Sequence, residues 1–337
     1  MKILVLEWDI SRFSGRMATI VRFADTFKEL GHEVRVVSNW FHSEIRNKEE
    51  MFSYHDIKAL SPSDFSWNLE RHYTAFPKEW QDYDFIFAPY VAYGHLSELP
   101  GGKPTVCWWI SKQSDWSSKT LEFWTNSQTT RNMLFYHYGQ FDNMYVIVPP
   151  YDYSKFRDKA VGLTERHFDI AYLARAHLNK NLDIFCKVAE NLGLRAVLGV
   201  LCKDVIQRQY VKELTDRYGR SVSFIINGDK RAMADVLGNT KLYFHPSKDE
   251  SCSIAIYEAL NAGCYPICRS VGAVKEQLDG MGMVYHDKQD PTHFIKQALN
   301  RMDWDVFSLI KRGMAFDKNS VLWEIRKRLR NIERCLL

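Results

Sequence analysis

Two carboxylates, Glu250 and Glu258, lie eight positions apart in a stretch that runs from His245 to Ile267. The first falls in a polar turn, and the second falls inside an apolar helical run. Neither can hold a phosphate, because both are negative. A carboxylate can accept hydrogen bonds from both members of a diol, so two of them beside one pocket suit a sugar and a ribose. Spacing alone leaves a second reading equally open, with one solvated Glu at a helix start and another on a helix face.

The elements that must position these groups read strand, loop, helix, strand. Leu242-Tyr243-Phe244 is a short apolar strand, Pro246 and Ser247 end it, and a helix is expected to begin near Ser251 to Ser253, where hydroxyl side chains can cap free amides. A helix N-terminus at the carboxyl end of a parallel strand is an anion site. The same rhythm runs along the chain. Lys2 to Leu6, a helix from Gly15 to Leu30 and a strand ending at Ser38 make a βαβ unit. Further strands are expected at 84–88, 104–110 and 143–148, and then at 170–173, 196–200, 222–226, 242–244 and 265–268. Two separate runs of alternating elements predict two doubly wound α/β domains. Pro149 to Lys159 is the linker candidate.

The segment from Glu250 to Glu258 resembles the E-x7-E signature of the retaining GT-B glycosyltransferases, the glycosyl transferases group 1 family. Phe168 to Arg175, followed by Asn179-Lys180-Asn181, is similar to that family's first donor-domain strand and its basic loop. Val146 to Phe156 resembles its interdomain segment, Thr125 to Thr130 the turn before it, and Gly272-Ala273-Val274 with Glu276 the later glycine pair and glutamate. The resemblance covers residues 140–300 most fully and the first forty more weakly. It implies a GT-B fold of two Rossmann-like domains facing across a cleft. Residues 1–150 would form the acceptor side, 151–319 the nucleotide-sugar side, and a C-terminal helix at 320–337 would pack back on the first domain.

The resemblance also implies roles. Arg175 and Lys180 would neutralise the departing diphosphate, the guanidinium as a planar fork and the ammonium as a compact charge. Glu250 would hold the donor sugar and Glu258 the ribose, with the amides of Cys252 and Ser253 near the phosphates. Gly15 echoes a glycine loop after the first strand, where absence of a side chain lets backbone approach ligand. Two features depart from the family pattern. A histidine often found at the end of the strand matching 106–110 is replaced by Trp108-Trp109-Ile110-Ser111, which leaves His95 as a nearby candidate. Glu250 is followed by Ser-Cys-Ser where Gly-Phe-Gly is more usual. Eight of the ten tryptophans fall in the first 150 residues. Aromatic faces stack on sugars, and Trp8, Trp109 and Trp116 are the acceptor-side candidates.

Net charge divides as −3 over residues 1–150 and +7 over the rest. The basic half is the one whose motifs call for a diphosphate. A mildly acidic partner gives no encouragement to an acceptor such as duplex DNA. Seven cysteines without a C-x-x-C read as buried free thiols. No apolar run approaches the roughly 18 residues that span a bilayer, and a cytoplasmic location is expected. A G-x-G-x-x-G is missing, so an oxidoreductase finds no support. The expected activity is metal-independent transfer, with retention, from a UDP- or GDP-sugar to a saccharide or other hydroxyl acceptor, with no cofactor. The alternatives are a virus-type glucosyltransferase acting on DNA bases and a catalytically silent nucleotide-sugar binding protein.

Overall fold

The computed structural model describes residues 1–10, 15–41, 58–67, 82–89, 104–108, 120–139 and 142–337. The chain divides into two compact units, one of Met1–Tyr151 with Lys318–Leu337 and the other of Asp152–Asp317. Each is built on a parallel sheet.

In the first unit, strands β1 (Lys2–Ile10), β2 (Glu33–Phe41), β3 (Phe65–Trp67), β4 (Phe85–Pro89), β5 (Thr105–Trp108), β6 (Thr120–Thr125) and β7 (Met144–Val146) lie in the order β3-β2-β1-β4-β5-β6-β7. The helix Gly15–Glu29 follows β1, and its apolar stripe of Ile20, Phe23 and Phe27 is fully buried against Phe87 and Trp124. The C-terminal helix Lys318–Leu336 covers the same core with Ile325, Leu329 and Ile332. Its basic residues do not all remain in water. Arg328 is buried, with its guanidinium 3.9 Å from the Tyr145 ring centroid and 3.5 Å from Glu122. A buried guanidinium needs such a carboxylate and ring to offset its lost hydration.

In the second unit, β8 (Phe168–Arg175), β9 (Ala196–Leu201), β10 (Val222–Ile226), β11 (Thr240–His245), β12 (Tyr265–Arg269) and β13 (Met283–Tyr285) lie in the order β10-β9-β8-β11-β12-β13. The chain winds outward from β8 to β10, then returns to β11 on the other side of β8. That reversal puts the topological switch point between β8 and β11, where open α/β sheets bind ligands at the carboxyl ends of their strands.

The boundary between Tyr151 and Asp152 falls inside the linker candidate Pro149 to Lys159, part of which is helical. Ser154–Arg157 is a helical turn with Phe156 buried, and it belongs to the second unit. Asp317 fixes this turn by accepting from the Arg157 guanidinium at 2.7 Å. The strands Phe65–Trp67, Thr120–Thr125 and Met283–Tyr285 add to those read from the sequence. All seven cysteines are free thiols, five of them buried, with Cys252 partly buried and Cys335 exposed.

Candidate active site

β8 ends at Arg175, which is exposed and has no carboxylate within ion-pair reach among the described residues. A turn of 3-10 helix, Leu178–Lys180, follows, and Asn181 takes a left-handed φ of 49° before the next helix starts. That sharp turn carries Lys180 over the end of β11. Four hydrogen bonds then join the β8 loop to the β11 loop. Lys248 N–H donates to the Asn179 carbonyl at 2.7 Å and Ser247 Oγ to the same oxygen at 3.2 Å, while Asn181 Nδ2 donates to the Pro246 carbonyl at 2.8 Å. The fourth joins side chains, Lys180 Nζ to Glu250 Oε1 at 2.5 Å.

Glu250 accepts a second bond on the same oxygen, from His245 Nε2 at 3.2 Å. The imidazole is fully buried at the end of β11. Burial alone would raise the Glu250 carboxyl, but the His245 hydrogen bond and the Lys180 charge outweigh it and hold it at about 2. The site carboxylate is therefore ionised at any physiological pH. Its second oxygen, Oε2, has no hydrogen-bond partner among the described residues.

The loop after Glu250 is shaped by a glycine. Gly272 has φ +48°, and a Cβ there would stand 1.9 Å from the Glu250 carbonyl oxygen. The Ala273 N–H donates to the Ser251 carbonyl at 2.9 Å, so the 270–273 turn backs the loop directly. Only glycine allows that approach together with that backbone.

The helix Ile254–Asn261 begins after Ser253, which makes no side-chain cap bond. The expected capping by a hydroxyl is thus corrected. The Ser253 amide is also engaged, donating to Gln277 Oε1 at 3.0 Å while Gln277 Nε2 donates to the Ser253 carbonyl at 2.7 Å. Cys252 contributes no nucleophile: burial raises its thiol to about 12, and Sγ lies 3.1 Å from the Tyr257 hydroxyl. Its N–H has no acceptor among the described residues. Glu258, one turn into the helix, is partly buried, and burial raises its carboxyl while the nearby Lys230 charge pulls it back.

Of the residues read from the sequence, the structure brings Lys180 and Glu250 into contact and places Arg175 at the end of the neighbouring strand. Gly15 opens the Gly15–Glu29 helix in the other unit. His95, Trp109 and Trp116 lie outside the described residues, and nothing is described of the Trp8 side chain. His245, Lys230 and Gln277 were not legible. A histidine between an apolar strand and Pro246 was the only signal for the first. Among the described residues no group of three His, Cys, Asp or Glu is placed to hold a metal ion.

This architecture has known counterparts. Residues 154–298 match the family described as Glycosyl transferases group 1. That stretch contains Arg175, Lys180, Glu250 and Glu258. A glycogen synthase of Xanthomonas campestris pv. campestris is 27% identical over 148 residues, which is 42% of this chain and 31% of that protein. The chain thus matches under a third of this curated relative's length. Among solved structures, HepE of Anabaena in complex with UDP-glucose superposes with a TM-score of 0.71 at 16% identity, covering 98% of this chain and 100% of the other. Sucrose-phosphate synthase of Thermosynechococcus elongatus gives 0.73 at 13% identity over 99% of both chains. The fold is GT-B, two Rossmann-like domains each with a parallel sheet flanked by helices.

Proposed function

We propose that the chain is a glycosyltransferase that moves a sugar from a UDP- or GDP-sugar to a saccharide-like hydroxyl acceptor, with retention and without a divalent metal. The observation that carries this is the Lys180–Glu250 contact at the β8/β11 switch point, inside the stretch that matches the Glycosyl transferases group 1 family. The complex of HepE with UDP-glucose and the relative named glycogen synthase favour a nucleotide sugar as the donor.

Charge assigns the parts. Breaking the bond between sugar and diphosphate loads negative charge on the leaving group, and fixed cations stabilise it without reorganising. Arg175, exposed and unpaired among the described residues, and Lys180 supply that charge in place of a metal. The Cys252 amide and the uncapped start of the Ile254–Asn261 helix add backbone donors. Glu250, ionised with Oε2 open, accepts from hydroxyls of the donor sugar. Glu258, remote from the breaking bond, accepts from the ribose.

The test follows the anomeric carbon. Donor and product are compared by NMR with purified protein, a panel of UDP- and GDP-sugars and saccharide acceptors, in the presence of EDTA. The expected product keeps the donor's anomeric configuration, and the rate is unchanged by the chelator. An inverted product, or a rate restored only by added divalent metal, contradicts the reading. A shift on duplex DNA that weakens with salt would favour the DNA-base alternative instead.

A further inference from the structure

The fully buried histidine at the end of β11 has no part in the function as described above. Its ring packs edge-on to Tyr172, with centroids 5.5 Å apart, and lies 6.1 Å from the Tyr243 ring. Nε2 reaches Glu250 Oε1 at 3.2 Å, while Nδ1 is buried with no hydrogen-bond partner among the described residues. A phenyl ring would fill this space without burying an unsatisfied nitrogen, which carries a desolvation cost. What the imidazole adds is a single donor aimed at one carboxylate oxygen.

That oxygen is shared. Glu250 Oε1 accepts from both His245 Nε2 and Lys180 Nζ, at 3.2 Å and 2.5 Å. The two donors differ in freedom. Lys180 sits at the end of a four-carbon stem on a surface turn, whereas His245 is held within the sheet by aromatic neighbours. Only one of them can turn away while the carboxylate stays in place.

We propose that His245 is a positioning residue: it holds Glu250 Oε1 so that Lys180 can leave that carboxylate for the donor diphosphate while Oε2 remains aimed at the donor sugar. The role rests on the function proposed above. In the free protein Lys180 closes the pair with Glu250. When a diphosphate arrives, the ammonium turns to it, and without His245 the carboxylate would lose its last fixed partner and its rotamer. His245 itself touches neither donor nor acceptor.

The test separates positioning from packing by the rank order of substitutions. Gln carries a side-chain N–H donor close to the place of the histidine Nε2, Phe keeps ring volume without a donor, and Asn carries the amide a carbon short. Binding of UDP and UDP-glucose, and of GDP and GDP-mannose, is measured by titration calorimetry on wild type, His245→Gln, His245→Phe and His245→Asn. The pair that binds wild type is the one compared. Free diphosphate should bind all four proteins within about twofold, because its contacts are to Lys180 and Arg175. The nucleotide sugar should bind His245→Phe and His245→Asn roughly tenfold or more weakly, the loss expected for a hydrogen bond to a charged group. His245→Gln should stay within about threefold of wild type. If Phe restores sugar-nucleotide binding better than Gln, or if Asn equals Gln, the imidazole is packing alone and the role is overturned. A wild-type protein that binds neither nucleotide sugar refutes the function itself, which is visible before any variant is compared.

Discussion

Replacing Glu250 with Gln removes the negative charge between His245 and Lys180 and leaves the Lys180 side chain, only 15% exposed, without its carboxylate. The magnitude follows from the depressed carboxyl. The gap between its ordinary value of 4.5 and about 2, at roughly 1.36 kcal/mol per pH unit, corresponds to about 3 kcal/mol of stability. Because the folded value is lowered, this contribution is complete above pH 4.5 and is lost as pH falls through 2. About half of it remains near pH 3. Glu250→Gln should therefore melt roughly 6 to 12 °C below wild type at pH 7, taking about 2 to 4 °C per kcal/mol for a unit of this size. The deficit should shrink as both proteins are acidified. Differential scanning fluorimetry from pH 7 down to the acid limit of the fold measures it. A variant that melts within a degree of wild type at pH 7, or a deficit that does not narrow in acid, refutes the account of the buried pair. Turnover should fall as well, because the proposed function puts Glu250 at the reacting sugar.

Four further substitutions probe the remaining parts. Arg175→Ala and Lys180→Ala should each lower kcat by about 10² to 10³, the scale of roughly 2 to 4 kcal/mol of lost transition-state stabilisation, with a smaller loss of donor binding; near-wild-type turnover in both removes the diphosphate role. Glu258→Gln should raise donor KM and leave kcat nearly unchanged, since the ribose is held alike in ground and transition states; steady-state kinetics with unchanged KM would reduce Glu258 to an ordinary helix carboxylate. Gly272→Ala must move a Cβ away from a carbonyl oxygen 1.9 Å distant at a left-handed φ, so it should cost more than about 2 kcal/mol in melting and disable the Glu250 loop. An active and equally stable alanine variant would show that the 270–273 turn yields freely.

The second unit was legible because its strands are continuous apolar runs buried on both faces, as at Ile170–Leu173 and Leu242–Phe244. The strand Thr120–Thr125 was missed because it carries Glu122, whose charge is offset by Arg328 from more than two hundred residues away. The site divides in the same way. Glu250, Glu258 and Lys180 stand out locally, but the bonds from Asn179, Lys180 and Asn181 to the 246–250 loop link positions 65 to 70 residues apart. No local pattern encodes them. Ser253 shows the opposite error: a small hydroxyl before a helix reads as a cap, yet its amide donates to Gln277, on the short helix Val274–Leu278 that only the folded chain brings near. Gly272 was legible as a motif glycine, and its reason, a backbone against a backbone, appears only in three dimensions.

The central claim is that Arg175 and Lys180, at the switch point of the second unit, hold the diphosphate of a nucleotide sugar. Calorimetric titration of UDP-glucose and GDP-mannose, with UDP and GDP, into wild type and into an Arg175→Ala/Lys180→Ala double variant tests it most directly. The account predicts that one nucleotide pair binds wild type in EDTA-containing buffer with one site per chain, and that the double variant loses at least about 2 kcal/mol of that affinity, close to thirtyfold. A double variant that binds as tightly as wild type, or a wild type that binds none of the four ligands, would contradict it.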